Sequence, residues 1–369
     1  LPWPGKVEGI SRSSTRGEEG LRQAVNSIER TLQTLQHKLP DRVPVDLHNF
    51  LVTARMMGIQ SYADFFRHGE AMAEGQIMAW RRFGHDVLLV ENGTAALAEA
   101  CGVQVQYQAD SAPVAKEPAI NNLDEVDDLK VPDPHQDPLL SELLKATRIV
   151  VKELGDQAFI VGRADQGPFS LACEIRGMSA FLMDLALGEK PNQIHKLLDF
   201  CRRVTLRYAL AQIEQGAHCT SIGDSPSGPD LISPKYYHQY AYPHVRQLVA
   251  DLKAKGIMLS YHICGNATPI IENMVSTGAT IIEIDQKADM QACKEAAHGR
   301  TTLLGPIDPS GVMANGTPEL VQEQCLEALE ILAPGGGFIL GPGCALPATT
   351  PDENIDALIE AAKKHGRYH

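Results

Sequence analysis

The sequence predicts an α/β fold: a (β/α)8 TIM barrel with an N-terminal helical extension and an insertion after the second strand. Three observations predict it. Short apolar runs of strand character alternate eight times with helical apolar spacing, and such alternation builds a parallel sheet. Titratable and ligand-type residues follow nearly every predicted strand, and active sites in such barrels lie on the face where the strands end. No G-x-G-x-x-G follows the first strand, which disfavours the doubly wound open sheet that the same alternation would allow.

Residues 1–40 read as the extension and 41–369 as the barrel. Residues 1–17 are polar and rich in Gly and Ser, a loose arm. Within 20–38, Leu21, Val25, Ile28, Leu32 and Leu35 recur at helical spacing. A first strand is predicted over 42–48, a long helix over 62–83, and a second strand over 86–91 after Gly84. From 92 to 133 the pattern breaks into short strand-like pieces, 103–107 and 112–114, then an acidic Pro-containing linker. That is an excursion from the barrel rather than a second domain.

Regular alternation follows. Helix 138–154 leads to strand 158–163, and helices within 170–187 and 191–215 lead to strand 218–224. Helix 234–255 runs into an apolar strand from 256, helix 269–276 into strand 279–285, and helix 290–297 into strand 301–305. Helix 318–332 precedes strand 337–340, and helix 351–364 closes the chain. A barrel of this type takes about 250 residues plus insertions, which the 369 residues accommodate.

Composition excludes several function classes. A net charge of −13 with no basic stripe argues against nucleic acid as a partner. No run approaches the roughly 18 apolar residues of a membrane span, and no signal-peptide pattern opens the sequence. The eight cysteines are scattered without a CxxC pair, the pattern of reduced thiols in a cytoplasm. Together these predict a cytoplasmic protein with no membrane.

The strand from 256 ends in His262-Ile263-Cys264, followed by Gly265-Asn266. Alternation on a strand points His262 and Cys264 to one side, about 7 Å apart along the chain. An imidazole and a thiolate so placed fit two corners of a tetrahedral zinc site. The pair alone fits equally a strand with a buried Cys and a hydrogen-bonded His. About eighty residues later the last strand ends in Gly341-Pro342-Gly343-Cys344. The ends of the fifth and eighth strands face each other across a small barrel, so His262, Cys264 and Cys344 can meet at one zinc ion. Three ligands leave a position for substrate, as in a catalytic site. Two thiolates and an imidazole suit a substrate thiol, alkoxide or phenolate better than a metal-bound hydroxide.

Other strand ends carry His48 and Asn49, Glu91 and Asn92, Asp165 and Gln166, Asp224, Asp285, and Asp308. Glu91, Asp224 and Asp285 are candidate catalytic residues: a fourth ligand, a partner of the ligating His, or a proton relay. Each also fits a loop-capping carboxylate. Glu91, Asp165, Asp224 and Asp285 should lie on the face that carries the zinc ligands. The six remaining cysteines, Cys101, Cys173, Cys201, Cys219, Cys293 and Cys325, read as small apolar fillers.

His262-Ile263-Cys264-Gly265-Asn266 and Gly341-Pro342-Gly343-Cys344-Ala345-Leu346-Pro347 resemble the zinc motif of methylcobalamin:coenzyme M methyltransferases, in the uroporphyrinogen decarboxylase superfamily. The likeness extends to Gly167-Pro168-Phe169-Ser170-Leu171, Ile222-Gly223-Asp224-Ser225 and Arg42-Val43-Pro44-Val45, and covers roughly 40–366. It implies a (β/α)8 barrel in which zinc on His262, Cys264 and Cys344 activates a methyl acceptor. It implies as partner a separate corrinoid protein whose cobalt carries the methyl group. The small substrate is then a thiol or an O-methyl compound, and a homodimer is compatible with the resemblance. Demethylases of methoxylated aromatics are a close alternative, because transfer to and from cobalt uses one geometry. A metal-free uroporphyrinogen decarboxylase is the other. Against it, the Arg-rich motif of that branch is replaced by Asp46-Leu47-His48-Asn49-Phe50-Leu51, with only Arg55 nearby. The excursion over 92–133 follows the second strand, so it is expected on the rim, docking the corrinoid domain or shaping the substrate pocket.

Overall fold

The computed structural model describes residues 25–368 except 60, 92 and 108–111. The predicted arm, the start of the first helix and Asn92 lie outside the described residues. Among the described residues nine strands form: β1 (Val87–Val90), β2 (Gln104–Gln106), β3 (Val114–Glu117), β4 (Phe159–Gln166), β5 (Cys219–Gly223), β6 (Leu259–Ile263), β7 (Ile281–Ile284), β8 (Thr302–Ile307) and β9 (Phe338–Pro342). β2 and β3 pair antiparallel within the excursion. The other seven make one curled parallel sheet in the order β1-β4-β5-β6-β7-β8-β9.

The predicted ring of eight regular strands is therefore corrected to seven. The segment expected as the first strand forms only isolated bridges: Val45 to Leu340 of β9 and Asp46 to Val87 of β1, both parallel, and Arg42 to Arg367, antiparallel. Its chemistry explains the loss. Pro44 has no N–H to give a ladder, and the N–H of Val45 donates to the Asp86 carboxylate (2.9 Å) rather than to a strand carbonyl. Asp86 is fully buried and also receives Arg30 at 2.6 Å and Arg42 at 2.7 Å. These contacts fasten both the N-terminal helix Ser27–Leu35 and the irregular segment to the start of β1.

Strand alternation divides the core in two. Val87, Leu89, Phe159, Val161, Cys219, Ile281, Leu304 and Ile339 form a cluster on the concave face, with Leu32 and Leu35 packed against it. The opposite face packs on the surrounding helices in one large apolar cluster. Further along, at the C-terminal ends of the strands, the concave positions change from aliphatic to polar: Glu91, Arg163, Ser221, His262 and Glu283, all buried.

The helices start where capping and proline place them. Pro138 opens the helix Pro138–Leu154 while the Asp137 carboxylate accepts the N–H groups of Leu139 and Leu140. Two predicted helices are interrupted. The pattern over 62–83 divides into Tyr62–Phe65 and Gly69–Phe83, because His68 is extended and the N–H of Gly69 is taken by the Glu142 carboxylate. The pattern over 234–255 holds a π-helical turn at Tyr237–Ala241, just ahead of Pro243, which has no N–H to continue the α ladder. No helix among the described residues is long and apolar enough to cross a membrane.

Candidate metal centre

β6 delivers His262 near its end and Cys264 as the first residue after it. Parallel register sets His262 beside Gly223 of β5 on one side and Glu283 of β7 on the other. Gly265 follows with φ of +86°, a left-handed conformation that glycine adopts without penalty. Cys344 arrives from β9. A Cβ on Gly343 would lie 3.0 Å from the backbone nitrogen of Gln286, so glycine lets the chain pass close over the end of β7 before Cys344.

The three predicted ligands meet. His262 Nε2 is 2.9 Å from Cys264 Sγ, and Cys264 Sγ is 3.5 Å from Cys344 Sγ. One donor atom from each residue lies within 4.8 Å of the others. His262 is buried, and both cysteines are half-buried, so the cluster is anchored yet reachable. One imidazole and two sulfurs are a donor set for a soft or borderline divalent ion such as zinc. The contact with Cys344 holds the Cys264 thiol well down, to about 3, helped by His262, and the same contact pushes Cys344 well above the usual thiol range. A shared proton between donors is what a bound cation replaces.

His262 is oriented from behind. Its Nδ1 lies 3.2 Å from the carbonyl oxygen of Glu283, which can only accept, so Nδ1 carries the hydrogen and Nε2 faces the sulfurs. The Glu283 carboxylate is 3.8 Å from the same nitrogen. Burial pulls the His262 imidazole down, but Glu283 and Cys264 outweigh it and hold its pKa up at about 9.

A buried polar line continues from Glu283. His48 stands between two carboxylates, with Nε2 2.5 Å from Glu91 Oε2 and Nδ1 3.4 Å from Glu283 Oε1. Burial opposes a charged His48, yet Glu91 and Glu283 raise its pKa to about 10. Burial likewise opposes the Glu283 carboxylate, and His262 and His48 bring it down to about 2. Glu91, placed at a strand end by sequence, thus connects to the metal cluster through His48 and Glu283.

The other predicted carboxylates serve the backbone. Asp285 accepts the N–H of Gly265 (2.9 Å) and that of Lys287 (2.9 Å), pinning the turn after Cys264. Asp224 accepts the N–H of Ser170 (2.7 Å), and burial raises its pKa to about 6. Its neighbour Ser225 accepts the N–H of Cys264 (3.2 Å). Asp165 accepts the N–H of Leu97 (2.8 Å), with φ of +61°. None of these three carboxylates joins the trio of candidate ligands.

Two charged residues of the polar layer escaped the sequence reading. Glu283 lies inside an otherwise apolar strand, Ile281–Ile284. A charge in such a run, two residues before Asp285 and so on its side of the strand, was the available signal. Arg163 closes the predicted strand 158–163 and faces the same concave space.

A model of the uroporphyrinogen decarboxylase (URO-D) family matches residues 26–365. The methylcobamide:CoM methyltransferase MtbA of Methanosarcina acetivorans is 29% identical over 344 residues, 91% of this chain and 97% of that protein. A uroporphyrinogen decarboxylase of Coxiella burnetii is 26% identical over 349 residues, 91% of this chain and 94% of that protein. Among solved structures, a methyltransferase from Methanosarcina mazei superposes with a TM-score of 0.84 at 23% identity, covering 92% of this chain and 98% of that one.

Proposed function

Because the chain belongs to the uroporphyrinogen decarboxylase (URO-D) family, we propose that it is a corrinoid-dependent methyltransferase. It moves a methyl group between a corrinoid carried by a partner protein and a small thiol, with zinc held by His262, Cys264 and Cys344. The observation that carries this reading is the convergence of one imidazole and two sulfurs at the ends of β6 and β9. The similarity to MtbA over 91% of the chain supports the methyl-transfer branch. Two arginines near the first segment are committed elsewhere, Arg42 to Asp86 and Arg55 to Asp352, which weighs against gripping the carboxylates of a porphyrinogen there.

Zinc in this position supplies Lewis acidity that lowers the pKa of a substrate thiol, so that its thiolate exists at neutral pH. The protein's own residues do the rest. Glu283 fixes the tautomer and direction of His262 through its carbonyl oxygen. Asp285 and Ser225 hold the backbone on either side of Cys264, so the sulfur keeps its place. Glu283, His48 and Glu91 form a continuous buried line that holds Glu283 in place behind His262. Asp224 contributes by fixing the start of the helix Pro168–Arg176 beside the site.

Two points of architecture belong to this reading. Residues 41–369 are taken as one barrel in which segment 44–46, bonded to both edges of the sheet, is the irregular eighth stave. The excursion is taken as part of the rim over which the corrinoid domain docks. The N–H groups of Ala119 and Ile120 donate to Ile175 O, which ties the excursion to the helix that begins at the C-terminal end of β4.

The test is anaerobic incubation with free methylcobalamin and a thiol, followed by the absorbance change of demethylation. Turnover abolished by a chelator and restored by zinc is the expected result. Full activity of the metal-free protein, or carbon dioxide release from a porphyrinogen, would overturn the proposal.

A further inference from the structure

We propose that Cys264 and Cys344 form a redox modification site: an oxidant joins their sulfurs in a disulfide, which releases the metal ion and silences the protein reversibly. The proposal rests on reading His262, Cys264 and Cys344 as the metal centre, and it assigns those residues a second, oxidised state.

The two sulfurs are 3.5 Å apart, already in contact. A disulfide needs them about 1.5 Å closer. The surrounding hydrogen bonds place that closure in the side chains. The N–H of Cys264 donates to Ser225 Oγ and that of Gly265 to the Asp285 carboxylate, so the backbone after β6 is fixed. On the facing loop, the N–H of Gly343 donates to Ile307 O (2.8 Å) and that of Leu346 to His48 O (2.7 Å). Rotation about the two Cα–Cβ bonds is the motion left free.

Access separates this pair from the other thiols. Both cysteines are half-buried, whereas Cys101, Cys173, Cys201, Cys219, Cys293 and Cys325 are buried. Among the described residues no other two thiols are in hydrogen-bonding contact. A small oxidant entering from solvent therefore meets these two sulfurs first, and each has a resolving partner beside it.

The chemistry balances with hydrogen peroxide as the oxidant. One thiolate sulfur attacks the peroxide, the O–O bond breaks, and a sulfenic acid and a hydroxide form. The second thiolate attacks the sulfenic sulfur, the S–S bond forms, and a second hydroxide leaves. Two electrons pass from the two sulfurs to one peroxide. Thiolates ligate metals and disulfide sulfurs do not, so His262 is the one ligand left and the ion is lost. His262 itself stays aligned, with Nδ1 3.2 Å from the Glu283 carbonyl oxygen. Reduction by a thiol, through thiol–disulfide exchange, then rebuilds the site. Capture of the sulfenic acid by the neighbouring sulfur also spares the irreversible sulfinic step.

The experiment exposes the full zinc-loaded chain to a pulse of hydrogen peroxide and follows three quantities in one sample: free thiols after denaturation, zinc passed to a chromogenic chelator, and disulfides by peptide mapping. The expected result is loss of two of the eight thiols, zinc release on the same time course, and a peptide pair joined through Cys264 and Cys344. Dithiothreitol followed by zinc should restore thiols and metal. In Cys344→Ser, Cys264 lacks its resolving partner, so its sulfenic acid should be trapped by dimedone and the thiol loss should fall by about half. The parent alone decides the matter, so no variant has to fold. Thiol loss without the Cys264–Cys344 cross-link would overturn the proposal, and so would sulfinic acid as the main product. Zinc and thiols both intact in about a tenfold excess of peroxide would also overturn it, while leaving the proposed function standing. A parent that carries no zinc yet forms the cross-link would support the modification site and count against the metal reading.

Discussion

Replacing Glu91 by Gln keeps the size of the side chain and removes the charge facing His48. Both residues are 3% exposed, and their contact is 2.5 Å. Burial disfavours a charged His48, yet Glu91 and Glu283 hold its pKa at about 10 against an ordinary 6.5. At about 1.4 kcal/mol per pH unit, that gap sets a ceiling of about 5 kcal/mol on the stabilisation. Glu283 remains in the variant, so the expected loss is about 3 kcal/mol, the lower end for removing one partner of a buried ion pair. The sign follows from a pKa raised in the folded state. The contribution is fully present below about pH 6.5, shrinks as pH rises, and is gone near pH 10. Guanidinium denaturation of parent and Glu91→Gln across pH 6 to 10 reads the difference directly. A gap of about 3 kcal/mol at pH 6 that closes toward zero near pH 10 is expected. A gap below about 1 kcal/mol at pH 6, or one independent of pH, would refute the charged His48 between two carboxylates.

Asp285→Ala frees the N–H groups of Gly265 and Lys287, and metal affinity measured by chelator competition should fall about 10- to 100-fold; unchanged affinity would mean that β6 alone positions Cys264. Replacing residues 97–117 by a short linker should spare the metal while slowing methyl transfer from the protein-bound corrinoid at least about tenfold. A folded deletion variant that uses the corrinoid protein at the parental rate would remove the excursion from the docking rim.

The convergence of His262, Cys264 and Cys344 was legible because it depends on local rules that survive folding. Alternation aligned His262 with Cys264, and parallel strands brought the end of β9 to the same face, so Cys344 could be added from a distance in sequence. Helix boundaries were legible where proline and a cap coincide, as at Asp137 and Pro138. What stayed hidden depends on partners far away in sequence. The first segment reads as a strand, but Asp86 competes for the N–H of Val45, and no window around residue 45 contains that carboxylate's orientation. Asp224 and Asp285 were placed correctly at strand ends, but whether a carboxylate faces an ion or a backbone N–H depends on loops whose course has no periodicity. Glu283 was masked by the isoleucines on either side of it.

The central claim is that His262, Cys264 and Cys344 hold one catalytic zinc, and elemental analysis of the purified chain tests it most directly. The parent and Cys325→Ala, whose thiol is buried in the core, should each contain about one zinc per chain. Cys264→Ala and Cys344→Ala should lose most of it. A full complement of zinc in both of those variants would contradict the account.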